Sequence, residues 1–242
     1  MKTELSTDMP STQTTRREFL KYTFFKVDPS WRRLGEQERA RSKREFAAIV
    51  EEFAADSSLK TYSLVGIRGD ADFMFWIINI RLEAIQDFSS KLLASSLGKY
   101  LDIPYSYLAI TRLSEYLAGH QHEGQEGVSL QRKPAGSKYL FVYPFTKKRE
   151  WYFLPYEERR QMMLQHFRIG HKYPSVRIHT GYSFGLDDQE FILAFETDKP
   201  ADFSELVMEL RSSEASRYTA IETPLFTCVA MRMREILDQL GG

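Results

Sequence analysis

The chain has 242 residues, with 33 Lys and Arg balancing 33 Asp and Glu, 43% apolar and 14% aromatic side chains, and a single cysteine, Cys228. That length and apolar content allow one large domain or two small ones around a substantial core. Zero net charge excludes the global basic field that attracts nucleic acid. One cysteine excludes an intrachain disulfide framework and fits a reducing compartment, and no run nears the ~18 apolar residues of a membrane span.

Residues 1–18 are polar and rich in Ser and Thr, the composition of a disordered N-terminal arm. Thr15 to Lys21 imitates a twin-arginine export signal, but Lys21, Lys26 and Asp28 interrupt the apolar stretch such a signal needs, so a cytoplasmic location is expected. Residues 19–114 then read as β-α-β-β-α-β. Phe19 to Val27 is a strand and Glu36 to Phe53 an amphipathic helix. Lys60 to Ile67 and Ala71 to Ile80 form two strands joined by a turn at Arg68-Gly69-Asp70. Leu82 to Leu97 is a second helix, with Gly98 as its C-cap, and Tyr105 to Leu113 is the closing strand.

Residues 115–137 hold four glycines, one proline and no sustained period, the signature of a flexible connecting loop. His120, His122 and Glu123 within it have the residue types of a metal site, but their spacing is loose and a solvated loop is the simpler reading. Residues 138–242 repeat the first pattern: Lys138–Thr146, Pro155–Lys172, Val176–Phe184, Glu190–Glu196, Ala201–Ser212 and Thr223–Met231, with a tail helix from Arg232 to Leu240. The order of each half is that of a ferredoxin-like unit.

The repeat is visible residue by residue. Trp31, Leu34, Glu38 and Arg39 recur 120 positions later as Trp151, Leu154, Glu158 and Arg159, and Gly66-Ile67 parallels Gly185-Leu186. Each half would have one sheet with helices on one face, leaving the other face to be buried. Two such sheets packed face to face make an α+β fold of tandem ferredoxin-like units, a dimeric α+β barrel.

Chemistry concentrates in the second half. Tyr143 and Lys147 lie four apart in an alternating strand, so they share a face about 13 Å apart at roughly 3.3 Å per residue. The following helix puts Met162, Met163, His166, Ile169 and Gly170 on one stripe, a single imidazole in an apolar wall. Taken alone, that histidine reads as a core residue bonded to backbone, and Tyr143 as a structural strand tyrosine. Together, a phenol, a cation and an imidazole suit a large flat anionic cofactor such as haem.

Six blocks in fixed order carry a family resemblance. They are YPFTK at Tyr143 to Lys147, EWY at Glu150 to Tyr152, EERR at Glu157 to Arg160, H-x-x-x-G at His166 to Gly170, SFGLDDQEF at Ser183 to Phe191, and LR-x-x-x-x-S at Leu210 to Ser216. This segment resembles the C-terminal half of the chlorite dismutase family, in particular its coproheme decarboxylase branch. The N-terminal half is similar more loosely.

The resemblance implies roles for particular residues. His166 matches the axial ligand to haem iron, and Tyr143 the tyrosine oxidised to a radical that attacks a propionate. Lys147, Arg211 and Ser216 match positions that contact propionates, and Trp151 flanks the same site. For the distal side, counting forward from His166 gives His179, counting back from Gly185 gives Ile178, and Arg177 shares a face with His179. A carboxylate partner for the proximal imidazole would fall at Ala215, beside Glu214.

The implied ligand is iron coproporphyrin III, both substrate and redox centre, converted to haem b with hydrogen peroxide as oxidant. The implied assembly is a homo-oligomer, a pentamer, with neither nucleic acid nor membrane as partner. The alternatives are a chlorite dismutase or weak peroxidase, should a cation face the iron, and a non-enzymatic haem-binding protein, should Tyr143 be dispensable.

Overall fold

The computed structural model describes residues 16–116 and 129–241. The first half contributes β1 (Phe19–Val27), α1 (Glu36–Asp56), β2 (Ser58–Ser63), β3 (Phe73–Asn79), α2 (Leu82–Ala94) and β4 (Leu101–Ile110). The second contributes β5 (Tyr139–Lys147), α3 (Glu150–Phe153), α4 (Tyr156–Gly170), β6 (Arg177–Tyr182), β7 (Phe191–Thr197), α5 (Pro200–Arg211), β8 (Thr219–Ile221), β9 (Phe226–Ala230) and α6 (Met233–Gln239). The fold is α+β with an entirely antiparallel sheet. The N-terminal strands run β4-β1-β3-β2 and the C-terminal ones β6-β7-β5-β9. Two short junctions link the halves, Tyr62 and Ser63 of β2 opposite Ala230 and Val229 of β9, and Ile110 of β4 opposite Tyr182 of β6.

Alternation explains the strands. In β3, FMFWIIN, both faces are buried, so the run is apolar without interruption. Phe73, Phe75 and Ile77 pack with Phe46, Val50, Ile85 and Phe88 from α1 and α2. Met74, Trp76 and Ile78 face the other way, among Leu20, Tyr22, Leu140, Val142 and Ala194 from both halves. In β5, Leu140 and Val142 join this shared interior, whereas Phe141 and Tyr143 point out toward α4 and α5.

Some boundaries differ from the sequence reading. The turn between β2 and β3 spans nine residues, 64–72, rather than three. Asp72, just before β3, keeps backbone bonds to Phe25 at 2.7 Å and Leu64 at 2.8 Å, while its carboxylate accepts the Val27 backbone N–H at 2.8 Å and the Lys26 ammonium at 2.9 Å. Gly66 and Gly185 both have left-handed backbone, φ 77° and 71°, so the two repeated turns share a conformation that favours glycine. The strand expected at Tyr105 to Leu113 runs from Leu101 to Ile110 instead.

Gly98 is not the C-cap of α2, which ends at Ala94 with Ser95 extended behind it. It lies where a Cβ would meet the Leu92 carbonyl oxygen at 2.1 Å and that of Leu93 at 2.7 Å. Backbone is the obstacle, so no rotamer relieves it. Gly98→Ala is expected to cost about 1–3 kcal/mol or more, read as a lower midpoint in urea unfolding with an unchanged slope.

Candidate functional site

The outward face of the C-terminal strands carries the site. Tyr143, 7% exposed, packs with Phe141, Ile169, Phe195, Phe203 and Leu206, its ring stacked on Phe195 at 5.7 Å and 14°. Its hydroxyl makes no hydrogen bond to a described residue. Burial pushes the phenol well above its ordinary value, with the Glu222 charge adding and the Arg211 charge opposing. The phenol is therefore protonated at neutral pH.

Lys147 ends β5, where the pairing with β8 shifts register between Thr146 and Lys147. Its ammonium donates to the Ala215 carbonyl at 2.9 Å and lies 4.4 Å from the Trp151 ring centroid. Burial lowers its pKa to about 8, against the pull of Glu190 and Glu222. At pH 7 it remains predominantly a cation. Its backbone N–H donates to Glu190 at 2.9 Å, and Tyr152 donates to the same carboxylate at 2.6 Å. Trp151, 3% exposed on α3, is thus a lid over the lysine and a neighbour of Tyr218, with ring centroids 5.5 Å apart.

His166 sits on α4. Burial first, and the Lys147 charge second, lower its pKa to about 4, so the imidazole is neutral at physiological pH. It hydrogen-bonds no described residue. The repeat shows why the position is unusual. On α1 the stripe Ser42, Phe46, Ala47 and Val50 is buried. The residues 120 positions later, Met162, His166, Phe167 and Gly170, are all only half-buried. A Cβ on Gly170 would meet nothing within 4 Å. Where the first half fills the space with Phe46, which lies 6.0 Å from Phe73 and 6.4 Å from Phe75 ring to ring, the second presents an imidazole on an open apolar wall.

Arg211 ends α5, exposed and ion-paired with Glu222. The Ser216 hydroxyl shares its one proton between the carbonyls of Arg211, at 2.8 Å, and Ser213, at 2.7 Å, closing the turn behind α5. Ala215 is buried, and Glu214 pairs outward with Arg217 at 3.1 Å, so among the described residues no carboxylate bonds the His166 ring.

The distal candidates separate by face. Ile178 packs in the cluster of Tyr143, Ile169 and Phe195. His179 points the opposite way, 0% exposed inside the sheet, its Nε2 2.7 Å from Glu196 Oε2 and its ring edge-on to Trp76 at 4.9 Å. Burial pushes the Glu196 carboxyl up, but His179 and the N–H groups of Ala135 and Gly136 outweigh it, holding it below the ordinary range. Arg177 stands opposite Glu196 and shares the inward face of His179. His179 and Arg177 are therefore removed from Tyr143's face by strand alternation, and Ile178 alone of the three remains on it. His120, His122 and Glu123 lie outside the described residues.

Sequence reading missed Glu222 and Glu190, the two carboxylates around Lys147. Glu190 was visible only as part of a motif, and Glu222 stands in an irregular connection with no periodicity to mark it.

The C-terminal half thus brings together a neutral imidazole on a half-buried apolar stripe, a nearby cation and a protonated phenol. Residues 39–231 match the chlorite dismutase family, and the chain belongs to that family and is one of its enzymes. A relative named coproheme decarboxylase, from Mycolicibacterium smegmatis (strain ATCC 700084 / mc(2)155), is 36% identical over 180 residues, 74% of this chain and 75% of that protein. Structures of chlorite dismutase variants from Candidatus Nitrospira defluvii superpose with a TM-score of 0.83 at 26% identity, covering 92% of this chain and 94% of theirs. A heme-binding protein from Thermus thermophilus, at 24% identity and a TM-score of 0.80 over 91% of this chain and 95% of that one, shares the fold.

Proposed function

We propose that this enzyme decarboxylates iron coproporphyrin III to haem b with hydrogen peroxide, on a dimeric α+β barrel built from two ferredoxin-like halves, residues 19–114 and 138–242. The observation that carries the reading is the half-open apolar stripe of α4 bearing a neutral His166 that hydrogen-bonds no described residue, on the face that holds Tyr143 and Lys147. The residues fit the ligand: an imidazole lone pair for iron, an apolar wall for the ring, and cations at Lys147 and Arg211 for carboxylates. The bound iron supplies the oxidising chemistry when it meets peroxide.

The chain's own groups do the rest. Lys147 holds a propionate within reach of Tyr143, with Arg211 and Ser216 steadying others. Tyr143 gives up its phenolic hydrogen, becomes a radical and takes a hydrogen from the propionate. One propionate, one peroxide and one proton become one vinyl group, one carbon dioxide and two waters. The reaction runs twice. Ile178, rather than a cation, on Tyr143's face argues against chlorite as substrate, since Arg177 is turned to the other face of the strand and no fixed charge of β6 faces the site to hold a small anion.

Mass spectrometry of the porphyrin during slow peroxide feeding tests this. Two successive losses of carbon dioxide with two hydrogens, through a three-propionate intermediate, are expected. Tight binding with an unchanged mass would sink the reading, and oxygen release from chlorite would replace it. A cytoplasmic homopentamer completes the proposal, with light scattering to give the oligomer number. Among the described residues no helix is long and apolar enough to cross a membrane.

A further inference from the structure

Glu222 has no part in the reaction proposed above, yet it lies at the centre of the charges. It follows β8, whose Ile221 and Thr219 pair with Thr146 and Lys147, and it precedes β9, whose Phe226 pairs with Val142. The connection 222–225 therefore runs alongside the part of β5 that holds Tyr143. Its carboxylate forms an ion pair with the Arg211 guanidinium, with side chains 26% and 60% exposed. Two site groups register its charge, Tyr143 and Lys147, each as the largest or second-largest Coulombic influence after burial.

We propose that Glu222 is a resident carboxylate that occupies Arg211 until a carboxylate of the incoming ligand displaces it. This rests on the porphyrin-binding reading and adds a residue to it. Glu222 takes the Nη1 end of the Arg211 guanidinium, and a carboxylate binds such an end through parallel N–H donors. A ligand propionate approaching Arg211 by that end must therefore replace Glu222 rather than join it. The exchange is nearly even, one carboxylate for another, and the pair is exposed enough to open readily. Because the ligand must break the Glu222 pair to reach Arg211, affinity for acidic porphyrins is held down. The device lets Arg211 be aimed before the ligand arrives.

The test is titration of the Soret band with iron coproporphyrin III and with its tetramethyl ester. Glu222→Gln is expected to tighten the acid about fivefold, the scale of one exposed ion pair, and to leave the ester unchanged. In an Arg211→Gln background the same change is expected to have no effect, because nothing is left to compete for. Glu222→Asp, which keeps the charge, should behave as the parent does. Unchanged or weaker binding of the acid by Glu222→Gln, or an equal shift for the ester, overturns the proposal. If the parent protein binds the acid and Glu222→Gln does not alter its affinity, this inference fails alone. If the parent binds neither porphyrin, the functional reading fails and takes this one with it.

Discussion

Tyr143→Phe is expected to bind iron coproporphyrin III as the parent does and to lose turnover by about 10²–10⁴-fold, the scale of a positioned group that handles a proton in the reaction. Binding survives because the ring supplies the contact. Phe retains the stack on Phe195 at 5.7 Å and the packing on Ile169 and Phe203. Folding survives because the hydroxyl has no described hydrogen-bond partner, so its removal strands no buried group. What goes is the O–H bond, which an adjacent propionate cannot replace. The expected kinetic signature is an equal fall in kcat and kcat/KM. Parental rates in Tyr143→Phe would end the radical role, whatever the affinity.

The architecture was legible because its periods are strong. β1 and β5 alternate so regularly that both begin and end 120 residues apart, Phe19 with Tyr139 and Val27 with Lys147. The offset falls to 119 between Ser58 and Arg177, and to 118 between Phe73 and Phe191, as connections shorten. Counting along the chain loses the face of a strand at such places, since one residue of slip turns every side chain over. Forward counting therefore reached His179 and backward counting Ile178. Only the ladder decides, with His179 opposite Ala194 and both turned inward. Gly98 was misassigned for a related reason: its neighbours Leu92 and Leu93 constrain it through space, and a local C-cap rule has no access to that. Strand and helix periods assign faces to Tyr143, Lys147 and His166, and only the family resemblance singles them out as site candidates, whereas Glu222 stands in an irregular connection that neither marks.

His166→Ala tests the other half of the site, and its expected effect is on the metal rather than the ring. Loss of a residue that merely supports a metal ligand typically costs about 10–100-fold in metal affinity or activity, and loss of the ligand itself should exceed that. Parent protein is expected to prefer iron coproporphyrin III over the metal-free porphyrin, and His166→Ala to bind the two alike. Turnover should vanish with the preference. Ligation also has a pH signature. Burial holds the folded imidazole to a pKa of about 4 against an ordinary 6.5, so iron binding should persist at pH 5, where an exposed histidine would be mostly protonated. The sign for stability is the reverse of a paired histidine's. Between 6.5 and about 4 the unfolded chain takes a proton that the folded one refuses, so apo-protein stability falls as pH drops through that window. Alanine removes the penalty. The His166→Ala apo-protein should therefore lose less stability than the parent between pH 6.5 and pH 4, and an identical slope in the two would show that the imidazole is not shielded from water.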